Sequence, residues 1–298
     1  MRRRSVVGIV LSLSLAWGLV GSYAPPLPPG FFSVFHWYGD DPQFGGFSAI
    51  RVSADGSGFV TISDRGGYTS GRFIRDDQDR IDDIVADPVR LLNGPDNLPL
   101  VGNLADSEGL ALLPDGQVYV SFERIARVVQ YAKIDRPGVI LPRPQAFKDM
   151  SRNASLESLV FDARGVLYTL PEATSELTAP FPVYRYKNGI WDQPFMIPRR
   201  GWFLAVDADI GPDGKFYLLE RQFKGFSGFA TRVRRFTMGP NGLFDEQILF
   251  KSAVGQHDNL EGLSVWRDTM GTLRLTMISD DNFFFLQRTE IVEYRVPD

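Results

Sequence analysis

The chain has no cysteine in its 298 residues. This excludes a disulfide framework, thiolate metal sites, a cysteine nucleophile and a lipid-modified cysteine anchor. Histidine is nearly as scarce. His36 and His257 are the only two, which leaves little room for a multi-histidine zinc site. No basic run survives past Arg4. Removing the first 24 residues, which hold three arginines and no acid, takes the formal charge from −4 to −7. A nucleic-acid-binding role is therefore not expected. What is present is apolar: 44% of the residues are hydrophobic and 13% aromatic. That is ample to bury a large core and is incompatible with a disordered chain.

The N-terminus reads as a targeting segment. Arg2, Arg3 and Arg4 precede an apolar stretch from Val6 to Val20, the pattern of a secretory signal with an h-region short for a membrane span. Residues 1–24 are expected to be a signal peptide or an uncleaved N-terminal anchor. Residues 25–30, with Pro25, Pro26, Pro28 and Pro29, form a stiff linker. Residues 31–298 form the domain. A periplasmic or secreted location follows, with membrane contact only through an uncleaved segment. A monomer is expected.

One module repeats along the domain: a short apolar strand, a turn with Asp or Gly, an apolar strand ending in an acid, then another strand. Its clearest copy runs from Glu108-Gly109-Leu110 through Pro114-Asp115-Gly116 to Val118–Glu123. Copies start at Gly46, Glu108, Glu157, Asp207 and Glu261, with steps of 62, 49, 50 and 54 residues. Propeller blades of the kelch type repeat at about 50 residues. The strands are rich in Val, Ile, Leu, Phe and Tyr. Only Ile81 to Arg90 hints at a helix. The expected fold is all-β, a β-propeller. The long first step hides room for an extra blade between Gly66 and Gly102, which favours six blades over the alternative of five. Phe31 to Tyr38 would supply the last strand of the ring and remove an exposed edge.

Each copy ends its second strand with a carboxylate: Asp64, Glu123, Glu172, Glu220, Asp280. Three first strands carry an early acid, Glu108, Glu157 or Glu261. In a propeller the inner strands line the central channel, so these acids are expected at one mouth. From the turn glycine to the acid the count is 7, 7 and 6 in the second to fourth copies. A change of one moves a side chain to the other face. Converging carboxylates repel unless compensated. Arg65, Arg124 and Arg221 each follow an acid, and Arg288 lies beyond Asp280 and Asp281. The alternative compensation is a hard cation such as calcium, which takes oxygen ligands. For any single acid, a structural ion pair is the competing explanation.

With these residues in place, the sequence resembles the phytase-like propeller family described as "esterase-like activity of phytase". The resemblance is carried by Gly45-Gly46-Phe47-Ser48 with Ser63-Asp64-Arg65-Gly66, and by Ser107-Glu108-Gly109-Leu110 with Ser121-Phe122-Glu123. It continues through Asp258-Asn259-Leu260-Glu261-Gly262-Leu263, Ile278-Ser279-Asp280-Asp281-Asn282-Phe283 and Gln287-Arg288-Thr289. The middle departs from the pattern: Ser158 stands where glycine is usual, and the copy at Leu204–Ile210 lacks the Glu-Gly pair.

The resemblance implies an exported protein that hydrolyses phosphoesters, carboxylic esters or lactones. Calcium would be held by Asp64, Glu108, Glu261, Asp280 and Asp281. Arg65, Arg124 and Arg288 would grip an anionic substrate, aided by Arg221 and Asn282. Glu123 would act as general base. A serine triad is the poorer variant, because no Gly-x-Ser-x-Gly elbow exists. The competing function is a non-catalytic envelope propeller whose acids and arginines form a ladder of ion pairs.

Overall fold

The computed structural model describes residues 25–297 except 175, 177, 240 and 241. The expected signal or anchor at residues 1–24 lies outside the described residues. Five antiparallel sheets are arranged in a ring. Strand β1 (Phe31–His36) comes first in the chain and closes the ring last. Blade 1 holds β2 (Phe47–Val52), β3 (Gly58–Ser63), β4 (Gly67–Arg75), β5 (Ile81–Ala86) and the short β6 (Arg90–Leu91). Blade 2 holds β7 (Ser107–Leu112), β8 (Val118–Phe122), β9 (Arg127–Tyr131) and β10 (Gly138–Ile140). Blade 3 holds β11 (Leu156–Phe161), β12 (Leu167–Pro171), β13 (Phe181–Lys187) and β14 (Ile190–Ile197). Blade 4 holds β15 (Leu204–Ile210), β16 (Lys215–Phe223), β17 (Phe229–Gly239) and β18 (Gly242–Lys251). Blade 5 holds β19 (Asn259–Arg267), β20 (Leu273–Asp280) and β21 (Glu290–Val296), with β1 as its outer strand.

The fold is thus the five-bladed alternative. Residues 66–102 do not make a sixth blade. They lengthen blade 1, because β5 and β6 both pair with β4. The segment at Ile81 is strand and not helix: β5 buries Ile81 and exposes the two aspartates after it. The closure by Phe31 onward holds. β1 pairs antiparallel with β21, from Phe31 opposite Tyr294 to His36 opposite Glu290.

Each hairpin between the first two strands of a blade is built by an Asp and a glycine. Asp115 Oδ1 accepts from Gln117 N at 2.9 Å, Asp162 Oδ1 from Arg164 N at 2.9 Å, and Asp213 Oδ1 from Lys215 N at 3.2 Å. The glycines that follow take left-handed backbone, with φ of 85° at Gly116 and 73° at both Gly165 and Gly214. Only glycine does this freely.

There is no single central core. The buried apolar side chains form one cluster per blade interface: Leu110 with Ile62, Leu159 with Val128, Phe216 with Val160, Leu263 with Leu219, and Ile278 with Phe47. Each such fully buried side chain contributes about 1.5–3 kcal/mol. Each inner strand also packs against the inner strands of both neighbours, which defines the axis. Among the described residues no helix is long and apolar enough to cross a membrane.

Candidate functional site

Every inner strand carries a β-bulge at the same place, near its start. The register slips between Phe47 and Ala49, Ser107 and Leu110, Leu156 and Ser158, Ala205 and Asp207, and Leu260 and Gly262. A bulge leaves a residue unpaired and re-aims its side chain. The re-aimed positions are Ser48, Glu108, Glu157, Val206 and Glu261. The three glutamates are buried, with 8%, 7% and 7% exposure.

A second layer lies at the ends of the second strands. Asp64 N bonds Gly46 O, Glu123 N bonds Asp106 O, and Glu172 N bonds Ser155 O, each at 2.9 Å. In blade 4 Arg221 pairs with Leu204, and in blade 5 Asp280 pairs with Asn259. This layer therefore reads Asp64, Glu123, Glu172, Arg221, Asp280. Glu220 was expected here and is not. It is fully buried and faces away, with Arg232 Nε at 2.7 Å and Arg234 Nη2 at 2.7 Å. The spacing explains it: seven residues from the turn glycine reach Glu123, Glu172 and, in blade 4, Arg221.

Two groups of carboxylates come together. Oxygens of Asp106, Glu108 and Glu123 lie within 4.8 Å of one another, as do those of Glu123, Glu157 and Glu172. Glu123 is common to both. Burial is the first cause of the raised carboxyl pKa values here, and the neighbouring acids add to it. Burial and then Glu261 push Asp64 up to about 7. Burial, Asp106 and Glu172 push Glu123 up to about 7. Burial, Glu261 and Asp64 push Asp280 up to about 9. Glu108 and Glu157 are driven well above the ordinary carboxylate range by burial, and next by Glu261 and Glu108 respectively.

Arg221 is a counter-charge in the same layer as the strand-end acids. Arg221 Nη2 is 3.0 Å from Glu172 Oε1, and its Nη1 is 2.5 Å from Glu261 Oε1 and 2.6 Å from Asn259 Oδ1. Burial alone would lower the Arg221 pKa, but Glu261, Glu172 and Glu157 hold it above its ordinary value. Asn259 Nδ2 in turn donates to Glu261 Oε1 at 2.7 Å.

The other expected residues divide. Arg124 sits against Asp106, Nε to Oδ2 at 2.9 Å, and so borders the first carboxylate group. Arg65 lies 3.3 Å above the Phe283 ring, beside Asp64. Arg288 is engaged at the rim of blade 5, 2.8 Å from Glu290 and 3.9 Å from Asp258. Asp281 pins its loop. Its Oδ1 accepts from Gly46 N at 2.9 Å and Phe283 N at 3.0 Å, and its Oδ2 from Thr289 Oγ1 at 3.0 Å. Asn282 is exposed, with left-handed φ of 49°. The histidines are not placed for a triad. His257 Nε2 is 2.7 Å from the Tyr294 hydroxyl, and burial pushes it down to about 4. His36 faces Glu290 at 3.4 Å.

Asp106 escaped the sequence reading altogether, because it precedes its strand and has no counterpart acid in the other blades. Glu157 and Glu172 were visible as periodic acids but were not assigned to the cation. Their bulge and strand-end positions are what bring them in.

The channel is closed below this mouth. Arg51 of β2 forms a two-pronged pair with Asp207 of β15, at 2.8 and 3.0 Å. The same guanidinium donates to the carbonyls of Ile50, Leu263, Leu159 and Ala208. It thereby ties four of the five inner strands and leaves the acidic mouth as a one-sided basin.

The donor set fits a hard divalent cation. It consists of carboxylate and amide oxygens with no sulfur and no imidazole, as calcium prefers. Asp64 Oδ1 is buried without a hydrogen-bond partner, an energetically costly state for a carboxylate oxygen.

Among solved structures, an α-L-arabinofuranosidase from Podospora anserina in complex with cellotriose is 11% identical. It covers 91% of this chain and 98% of that one, with a TM-score of 0.51. A virginiamycin B lyase from Staphylococcus aureus is 13% identical over 89% of this chain and 74% of its own, TM-score 0.42. A gluconolactonase from Xanthomonas campestris is 13% identical over 84% and 72%, TM-score 0.43. At these identities the likeness is one of fold. No curated protein matches the chain. The sequence profile of the phytase-like family matches residues 42–283, which spans all five inner strands and both carboxylate groups. The chain therefore belongs to the phytase-like family, described as esterase-like activity of phytase.

Proposed function

We propose that the acidic basin binds calcium and that the protein is an exported, cation-dependent hydrolase of phosphoesters, carboxylic esters or lactones. The observation that carries this reading is the pair of carboxylate groups sharing Glu123, with oxygens within 4.8 Å. Such groups are stable only when protonated or when a cation sits among them. A bound calcium would supply Lewis-acid polarisation of the ester. The chain's own residues do the rest. Asp106 and Glu108 on one side of Glu123, or Glu157 and Glu172 on the other, would hold the cation. Glu123, common to both groups, would take a proton from water as general base. Arg124 and Arg65 offer charge to an anionic substrate at the rim. The Arg51–Asp207 closure keeps substrate on the acidic side.

A second reading is favoured by one observation. Arg221 already sits between Glu172 and Glu261 as an internal cation, so the basin could be a neutralised structural ring in a binding propeller.

Calorimetric titration with calcium, followed by a panel of phosphate esters, carboxylic esters and lactones, separates the two. Glu108→Gln with Glu157→Gln is expected to abolish calcium binding and turnover together. Turnover that persists in excess chelator would overturn the cation-dependent mechanism. Absence of both calcium binding and turnover would favour the binding propeller. Export is tested by fractionating cells that express the full chain, where retention in the cytoplasm would refute it.

A further inference from the structure

Exposed aromatic side chains are concentrated on the acidic face. Seven aromatics are exposed among the described residues: Tyr38, Trp202, Phe223, Phe226, Phe284 and Phe285, and Phe244 on the outer strand β18. All but Phe244 lie on loops or strand ends at the acidic mouth. Trp202 precedes Leu204, the partner of Arg221. Phe223 and Phe226 follow Arg221, and Phe284 and Phe285 follow Asp280.

The tips form one continuous arc over blades 4 and 5. Phe223 packs on Phe229 with ring centroids 5.0 Å apart. Gly255, next to the exposed Val254, bonds Phe229 O at 2.8 Å. Gln287, next to the exposed Leu286, bonds Asp258 at 3.1 Å. Phe226 is fully exposed, and Phe285 is 86% exposed. Side chains this free make little contact with the rest of the protein. A small substrate in the mouth leaves them in water. A planar apolar layer covers all of them at once.

Two further observations name that layer. Lys224 lies between Phe223 and Phe226, and Lys251 stands 5.4 Å over the Phe203 ring beside Trp202. Aromatics interleaved with lysine suit the headgroup region of a bilayer. The described chain also begins here. Gln256, on the loop of Val254, donates to the Pro26 carbonyl at 3.2 Å. The preceding 24 residues, with their apolar stretch Val6–Val20, join the propeller at this arc.

We infer that the acidic face docks on a lipid bilayer, with the arc of Trp202, Phe223, Phe226, Val254 and Phe284–Leu286 seated in the headgroup region and the basin opening toward the lipid surface. This goes beyond the proposed hydrolase and does not depend on it. A binding propeller with the same arc would dock in the same way.

Trp202 reports on the contact directly. The other described tryptophans, Trp37, Trp191 and Trp266, are buried or half-buried. The test uses the full chain with Trp17→Phe, mixed with vesicles of phosphatidylcholine and phosphatidylserine whose acyl chains are brominated. Quenching of tryptophan emission is expected, and the further change Trp202→Phe is expected to remove most of it. Phe226→Ser with Phe285→Ser alters only exposed positions and is expected to reduce the quenching with no change in thermal unfolding. The inference is overturned if vesicle-bound protein shows no bromolipid quenching of Trp202. It is also overturned if the protein does not bind the vesicles. A protein that is a dimer without lipid and becomes a monomer on Phe226→Ser with Phe285→Ser would assign the arc to a second copy instead. Hydrolysis of soluble esters is measured on the same variants. Docking by the unsubstituted chain with no hydrolysis of any ester fails the hydrolase reading alone, and hydrolysis without vesicle binding fails the docking inference alone.

Discussion

Arg51 and Asp207 close the channel as a buried pair; Asp207 stands out in the sequence only as the start of a repeat copy, and Arg51 not at all. Arg51 follows Ser48-Ala49-Ile50 in what reads as a strand with alternating exposure, and an arginine there is ordinarily a surface residue. In the structure both partners are buried, at 7% and 0% exposure. Removing one member of a buried pair leaves an uncompensated charge and costs about 3–5 kcal/mol. Asp207→Asn is expected to fall in that range by urea unfolding. Arg51→Met is expected to cost at least as much, because four carbonyls also lose a donor. A variant of Arg51 unfolding at the wild-type midpoint would show that the channel closure is not stabilising. The acids were easier to foresee than this pair. Asp64, Glu108, Glu123, Glu261 and Asp280 recur with the repeat, whereas Asp106 does not. Arg221 stands at the equivalent of Glu123 and Glu172, and its role emerges only when the count from the turn glycine is carried one residue past Glu220.

Strands and turns were largely legible, because local chemistry builds them. Asp-Gly turns specify left-handed backbone, and β-branched and aromatic runs favour strands. The bulges were not. A bulge is defined by the register against a partner strand, which no single strand encodes. Ring closure depends on β1, and its anchor is Trp37. That ring stacks on Phe47 at 5.2 Å and meets Phe44 and Phe59 edge-on at 4.9 and 5.5 Å. Trp37→Ala is expected to destabilise the protein by about 3–5 kcal/mol. Val34→Ala on the same sheet edge, where the side chain is 43% exposed, should cost far less. Equal midpoints for the two variants would mean that closure does not rest on this aromatic cluster. Residues 66–102 misled the blade count for a related reason. A long β4–β5 hairpin and a new blade both lengthen the repeat, and only pairing distinguishes them.

At the scale of the whole molecule the basin couples stability to pH and, on the proposed function, to calcium. Asp64 and Glu123 are raised to about 7 and Asp280 to about 9 in the folded state. A raised carboxyl binds its proton more tightly when folded. Its stabilising contribution is full below its unfolded pKa and is lost as pH rises through the folded value. The chelator-treated protein should therefore lose stability from these carboxyls as pH rises from the ordinary carboxyl range, about 4, to about pH 9. His257 acts in the opposite sense. Its depressed pKa costs stability only as pH falls below 6.5, so the alkaline limb belongs to the carboxylates. Calcium requires deprotonated ligands, and its stabilising shift should grow across the same window. Scanning calorimetry with calcium and with chelator checks both. A calcium shift that is flat with pH, or a chelated protein more stable at pH 9 than at pH 6, would contradict the assignment.

The sequence by itself determined an all-β propeller, its turn positions and the acid-rich character of one layer, because each follows from residues within a few positions of one another. The number of blades, the bulges that aim Glu108, Glu157 and Glu261, the reversal of Glu220 and Arg221, and the Arg51–Asp207 closure were decided only by tertiary structure. Each of these depends on register between strands or on contact across the axis. Both are set by how five sheets pack around a ring and not by any stretch of chain alone.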